Sequence, residues 1–496
     1  MKNTDHKEEY SHVVKYTGLF AGVQVISILV GLIRNKLVAL ILGPAGMGLI
    51  TLFQSTIRMV SEITGLGIPT SAVRDVSAAY EEGDEQRLRD KVRVIRTWSV
   101  IAAVLGMVIC AVLSPWLNDW TFNWGNHTLH FVLLSPVVAV MALAGGEMAV
   151  LKATRQLRAL ARVSIYHVIM ALIITVPIYF FFGEAGIVPS IFLLAFVQMV
   201  LAMIFSYRRI PLSLSFSKKT IGQGAGMIRL GLGLVAAVSL GYVSEFLIRS
   251  YLNTAGTLET VGLYNAGYML AIVYSSLVFA AMETDYFPRL SAVKEAGAEL
   301  NQVVNRQIEV SILLISPMLV AMIVFMPIII PLLYSPDFNS VIPMVQIILL
   351  ALYFRAVKLP VQYIPLARGD SLFYFIMEAI YAVGLVVLTI LGFSRHGLWG
   401  AGLAITLMSV IDFIILNVCI GVKYRYRLSV PVIKYAVVQI GLGALTYATT
   451  FIGNCYLSYA IGILLIGAST WYSVKVLKSK TRLWEALKAK IWRKKS

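Results

Sequence analysis

Ten ionisable side chains lie inside otherwise apolar stretches of this 496-residue sequence: Arg34, Lys36, Arg58, Arg249, Arg355 and Lys358 against Glu62, Glu245, Glu378 and Asp412. A charge at the centre of a bilayer costs roughly 2.5–3.5 kcal/mol on insertion scales, so each needs a partner or a wet cavity. Arg34 stands about nine residues from the end of its run and Arg58 about twelve residues into the next, roughly 13 and 18 Å deep at 1.5 Å per residue. The balance is cationic, which suits an anion such as a phosphate or pyrophosphate. An organic cation would want acids and aromatic rings instead. Glu62 follows Arg58, and Arg249 follows Glu245, by four residues, so intrahelical pairing is the plainer reading of both. Glu378 and Asp412 are candidates for carrying a coupling proton or cation, or for pairing with Arg355 and Lys358. Glu147, Lys152, Glu283 and Asp285 stand near run ends, where solvation is expected. Pro360 and Pro365 predict a bent helix beside Arg355.

Other chemistry finds no support. There is no GxxxxGK[ST] sequence, and Gly222, Gly224 and Gly226 precede no lysine. The histidines (His6, His12, His127, His130, His167 and His396) form no metal-ligand pattern, and Cys110, Cys419 and Cys455 are scattered singly. No metal, cofactor or enzyme is expected, since no soluble stretch is large enough to house a catalytic domain.

The elements that must hold these charges are transmembrane helices. Hydrophobic residues make up 58% of the chain and charged ones only 14%, against about 45–50% and 25% in ordinary domains. Apolar runs without alternation predict about fourteen spans, near 15–40, 46–68, 95–114, 130–153, 162–182, 186–207, 226–251, 259–286, 307–333, 341–366, 371–392, 397–421, 432–452 and 456–476. The polar opening, Met1 to Tyr10, predicts no cleaved leader. Loops after even-numbered spans are basic, as with Arg87, Arg89, Lys91, Arg93 and Arg96, while the alternate loops hold almost no cation. Both termini are therefore expected in the cytoplasm, and the net charge of +17 reads as topology rather than nucleic-acid binding. Trp116, Trp120 and Trp124 suit an interface belt. The tail, 478–496, places Leu483, Trp484, Leu487, Ile491 and Trp492 at helical spacing among lysines and arginines, a basic amphipathic helix for the anionic leaflet.

An internal repeat is also expected. The segments Gly43–Phe53 and Asn253–Leu270, and Val73–Ala78 and Pro288–Val293, are similar at an offset of about 214 residues. The predicted all-α fold has two six-helix lobes related by a parallel repeat around a central cavity. The N-lobe is assigned 1–210 and the C-lobe 211–425. Two additional helices at 426–477 and the tail at 478–496 stand outside.

The stretches LGPAGMG (Leu42–Gly48), FQSTIRMVSEITGLGIPTSAVRDVS (Phe53–Ser77), DYFPRLSAV (Asp285–Val293), LLYSPDFNS (Leu332–Ser340) and QYIPLARGDSLFYFIMEA (Gln362–Ala379) resemble the Wzx-type polysaccharide flippases. These belong to the multidrug/oligosaccharidyl-lipid/polysaccharide exporter superfamily. The resemblance covers about 12–425 and is nearest to the O-antigen and lipid III flippases. It implies alternating access that moves an undecaprenyl-pyrophosphate-linked oligosaccharide to the periplasmic leaflet of the bacterial inner membrane. Arg34, Arg58 and Arg355 match basic cavity positions. Partners implied are the lipid-linked glycan, membrane lipids, a glycan polymerase and a chain-length regulator. Lipid II flipping is the alternative. A drug/cation antiporter is disfavoured by the basic balance, and a glycan polymerase or ligase by the short outer loops.

Overall fold

The computed structural model describes residues 2–273, 275, 279, 286–287, 289–293 and 297–480. The amphipathic tail beyond Lys480, together with Glu283 and Asp285, lies outside them. The regular structure among these residues is entirely helical, joined by short turns and loops. In order come α1 Lys2–Thr64, α2 Ile68–Glu81, α3 Glu85–Thr121, α4 Thr128–Ala153, α5 Leu157–Phe182, α6 Ile187–Tyr207, α7 Lys218–Ala255 and α8 Leu258–Tyr268, which runs into a π-helical turn at Met269–Val273. Then follow α9 Ala298–Leu333, α10 Ile342–Ala367, α11 Ser371–Tyr424, α12 Val430–Thr449 and α13 Cys455–Lys480. Two of these are double. Gly43, with φ of 64°, breaks α1 into two arms, and His396 and Gly397 break α11. Each of the fourteen expected spans falls on a helix or an arm, the eighth beginning as α8. Among the described residues, nine helical stretches are long and apolar enough to cross a membrane. The chain is a multi-pass membrane protein. Val25, Leu29 and Ile33 on α1, Phe180 to Phe182 on α5, and Leu445, Leu464 and Trp471 on α12 and α13 are exposed, as a lipid-facing surface requires.

Helix starts follow local chemistry. Asp84 caps α3 by accepting from the amides of Gln86 and Arg87, both at 3.0 Å. Ser217, Asp370 and Ser429 cap α7, α11 and α12. The short α2 is amphipathic: Ile68, Ala72, Val76 and Ala79 pack on Leu88, Val92 and Ile95 of α3 and on Ala149, Val150 and Ala153 of α4.

By compactness the chain divides into Met1–Gly262 with Leu333–Ser335, and Leu263–Leu332 with Pro336–Ser496. Within the first unit α7 comes close to the turn after α1, and the start of α8 comes close to the second arm of α1. A side chain at Gly231 would meet the Leu66 carbonyl at 2.3 Å, and one at Gly262 the Pro44 carbonyl at 1.8 Å. Only glycine permits backbones this close. Asn253 on α7 donates to the Thr121 carbonyl at 2.8 Å. Beside that bond, Phe53, Phe122, Trp124, His127, His130 and Phe131 form one aromatic cluster.

Glu147 corrects the expectation of easy solvation. It is 3% exposed, and Arg96, which the sequence places among the loop cations, is 2% exposed. The reason is length: α3 begins at Glu85, so Arg96 is already inside the bundle. Arg96 donates to both Glu147 oxygens, at 2.9 and 3.2 Å, and to the carbonyls of Ile210 and Pro211, at 3.0 and 2.7 Å. Its guanidinium lies 4.6 Å from the Tyr207 ring. Thr97 and Trp98 bond the carbonyls of Ser215 and Ile221, both at 3.3 Å. The start of α3 thus holds the whole connection from α6 to α7.

A spacing of 214 residues recurs in the backbone. Gly83 and Gly297, Arg155 and Gly369, and Gly183 and Gly397 are pairs at that spacing, and all six residues have positive φ. The starts of α4 and α10, Thr128 and Ile342, and of α5 and α11, Leu157 and Ser371, keep it as well.

Candidate functional site

The charges on α1 and α7 lie in the first unit. Arg34 donates from Nε to Thr175 Oγ1 on α5 at 3.0 Å. Tyr179, one turn on, is its second partner, and the Tyr179 hydroxyl meets Ser190 Oγ at 2.7 Å. Lys36 is half-buried. Arg58 is exposed on the second arm of α1, and Glu62 is half-buried. The two form no ion pair with each other: among the described residues Arg58 has neither an ion pair nor a hydrogen bond, and its electrostatic neighbour is Tyr242 of α7, which also senses Glu62 and Glu245. The four-residue spacing closes on α7 instead, where Arg249 donates to Glu245 at 2.8 Å. Arg34 therefore leans on α5, while Arg58 faces α7.

The charges on α10 and α11 share a cavity of about 370 Å³ in the second unit. Arg355 and Lys358 enter it from α10, Glu378 from the first arm of α11 and Asp412 from the second. Asp412, 3% exposed, is ion-paired with Lys358. The Lys358 ammonium also sits 4.4 Å from the centroid of the Tyr381 ring. Gln362 donates its side-chain amide to Glu378. Arg355 has no carboxylate partner among the described residues; its guanidinium lies 5.6 Å from the Phe279 ring. Pro360 leaves α10 without one backbone donor, and Tyr286 donates to the Pro360 carbonyl at 2.7 Å.

Sequence reasoning missed the polar walls of this cavity. Gln362 stands one turn beyond Lys358, and Tyr374 and Tyr381 lie on the same helical face as Glu378, so the spacing was there to be read. It also missed that the cluster occurs once. At the 214-residue spacing, Arg355, Lys358, Glu378 and Asp412 correspond to Met141, Ala144, Ser164 and Gln198, none of them charged.

The first unit presents Arg58, and the second presents Arg355, each without a carboxylate partner among the described residues; in the second unit one lysine stands beside two carboxylates. These groups can hold an anion and take up or release a cation. No cluster of histidine, cysteine and acidic residues among the described residues can hold a metal.

Comparison with known proteins follows the same lines. The polysaccharide biosynthesis protein family matches residues 9–343. A lipid III flippase of Escherichia coli strain K12 is 22% identical over 420 residues, covering 82% of this chain and 97% of the relative. The lipopolysaccharide biosynthesis protein WzxC of the same organism is 22% identical over 460 residues, covering 89% and 86%. Among solved structures, the lipid II flippase MurJ in an inward closed conformation superposes with a TM-score of 0.70 at 16% identity, over 93% of this chain and 99% of that one. An inward-facing multidrug resistance MATE family transporter of the MOP superfamily gives 0.65 at 15% identity, over 80% and 94%. These likenesses show the fold.

Proposed function

The chain belongs to the polysaccharide biosynthesis protein family, and from that premise we propose that it is a flippase. Its cargo is an undecaprenyl-pyrophosphate-linked oligosaccharide, an O-antigen or related repeat unit, moved from the cytoplasmic to the periplasmic leaflet by alternating access. The observation that carries the reading is the state of Arg58 and Arg355. Both lie deep in spans, both have acids nearby, and neither is neutralised by one among the described residues. A cation within a membrane span and without a counter-charge is costly, so an anionic ligand is the natural partner, and a guanidinium fork matches phosphate oxygens. The names of the relatives, lipid III flippase and WzxC, agree with that cargo.

Arg34, Lys36, Arg58, Arg249 and Arg355 are assigned to the substrate path, with Arg34 and Arg249 preset by their partners. Glu62, Glu245, Glu378 and Asp412 are assigned to coupling or charge balance. Of these, Glu378 and Asp412, with Lys358 between them, are the pair best placed to exchange a proton or cation. The recurrence at 214 residues supports an N-lobe of 1–210 and a C-lobe of 211–425, with 426–477 added. Both termini are assigned to the cytoplasm of a bacterial inner membrane. Its potential, negative inside, favours outward movement of an anion by up to roughly 2.3 kcal/mol per charge per 100 mV. A glycan polymerase and a chain-length regulator are the protein partners assigned. The protein does no bond chemistry in this reading.

Arg58→Ala and Arg355→Ala should each abolish surface glycan display while the protein stays inserted at normal level. Normal display in both would refute the assignment. The likeness to MurJ favours lipid II as the second reading. Deletion separates the two: lysis with halted peptidoglycan synthesis supports lipid II, and viable cells that lose only a surface glycan support the first.

A further inference from the structure

A second cavity, of about 440 Å³, lies at the loop ends of α9, α10, α12 and α13. Its volume is in the range of small-molecule sites, about 300–1,000 Å³. It is a different site from the charged cavity: Gln346 in its wall precedes Arg355 on α10 by about nine residues, roughly 13 Å of helix. No lysine, arginine, aspartate or glutamate lines it. An ion entering would therefore find no counter-charge, which excludes the pyrophosphate of a lipid-linked substrate and the headgroup of an anionic lipid as its natural occupants.

What the wall does offer is neutral hydrogen bonding. Gln346 donates its amide nitrogen to the Ile323 carbonyl at 2.9 Å, which leaves its side-chain oxygen as an acceptor. The Asn339 amide and the Tyr459 hydroxyl have no hydrogen-bond partner among the described residues, and both line the cavity. The same wall carries the apolar side chains of Ile342 and Pro343 and the Tyr459 ring. Uncharged donors and acceptors beside apolar and aromatic faces match a pyranose, with hydroxyls at its rim and C–H groups on its faces.

We propose that this cavity is a subsite for an uncharged sugar residue of the transported glycan. It lies among loops that carry no lysine or arginine, the side to which the cargo is delivered. The subsite exists because α12 and α13 are present, since Tyr459 and half of the wall belong to them and their connection. The inference rests on the flippase reading above, and it gives the two additional helices a ligand.

Cys455 provides the readout, being an exposed thiol in the same wall. Cells lacking this protein should accumulate lipid-linked glycan, and mild acid releases its lipid-free oligosaccharide as the probe. Purified protein carrying Cys419→Ser is alkylated with a fluorescent maleimide, with the probe or with sodium pyrophosphate. At a probe concentration ten times its Kd, alkylation of Cys455 should slow about tenfold by mass action. Pyrophosphate should leave the rate unchanged. In Asn339→Ala/Tyr459→Phe, which removes groups with no structural partner, the protection should vanish while melting is unaltered. The proposal is overturned by absence of protection, by equal protection in the double variant, or by protection with pyrophosphate. If no lipid-linked glycan accumulates in the deletion, the flippase reading falls, and the subsite with it.

Discussion

Replacing Arg96 by alanine removes the side chain that ties the start of α3 to α4 and to the connection between α6 and α7. The side chain is 2% exposed and meets both oxygens of Glu147, two backbone carbonyls of the connection from α6 to α7, and the Tyr207 ring. Removing one partner of a buried ion pair costs about 3–5 kcal/mol, because the remaining charge stays desolvated and unpaired. Each 1.4 kcal/mol is a factor of ten, so local opening of the connection should become about a hundred- to several-thousand-fold more populated. Arg208 and Arg209, exposed in that connection, are trypsin sites. When opening is fast relative to cleavage, the cleavage rate follows this population. Limited trypsinolysis in detergent should therefore cut Arg96→Ala at 208–209 about a hundred- to several-thousand-fold faster than the parent. Arg96→Met combined with Glu147→Leu removes both charges and should recover much of the loss, as apolar replacement of buried pairs often does. Parental cleavage in Arg96→Ala, or equal damage in the single and double variants, would refute the argument.

Four further outcomes follow from other sites. Gly231→Val places a side chain against the Leu66 carbonyl, where backbone cannot yield; it should lower stability by about 1–3 kcal/mol, seen as a reduced Tm in detergent, whereas Gly226→Val, which meets nothing within 4 Å, should not. His127 is held below the usual imidazole range by burial and by His130. Since the unfolded state binds the proton more readily, the stability this group contributes is present above its unfolded pKa of about 6.5 and declines as pH falls below that value. Trp124 emission, 4.7 Å from His127, should shift with acid, and the shift should be lost in His127→Phe. A membrane-impermeant maleimide should label exposed Cys455 from the periplasmic side and leave buried Cys110 unmodified in intact protein; labelling of Cys455 only after permeabilisation would invert the assigned topology. Asp412→Asn leaves Lys358 without its carboxylate and should impair transport without loss of insertion, measured as accumulated lipid-linked glycan.

Span number and helical class were legible because hydrocarbon leaves a backbone few options, so length and apolarity carry the message. The breaks at Gly43 and Gly397 were legible too, the first as a glycine before Pro44 in a glycine-rich stretch and the second as a glycine in the short polar interval Ser394–Gly397. Side-chain pairing was not. Arg58 and Glu62 stand four residues apart like Glu245 and Arg249 but in the reverse order, and only the pair with the acid first, the better orientation on a helix, closes. Lys358 with Asp412, and Arg96 with Glu147, join residues more than fifty positions apart. No local spacing encodes such contacts. The depth of Glu147 was misjudged for a related reason: hydropathy marks where an apolar run ends, while packing depends on how far a polar helix such as the start of α3 reaches into its neighbours.

The 214-residue spacing has a consequence for stoichiometry. A chain built by doubling a unit inherits two copies of every position, and a ligand site inside one copy would ordinarily be matched by a twin. Here the helices and their left-handed turns kept step, while Met141, Ala144, Ser164 and Gln198 stand where the other half carries its charges. Titration of purified protein with a pyrophosphate-bearing ligand should therefore saturate at one per chain. Converting Met141 and Ala144 to Arg and Lys, with Ser164→Glu and Gln198→Asp, asks whether the quiet copy of the scaffold still has room for the chemistry of its sibling.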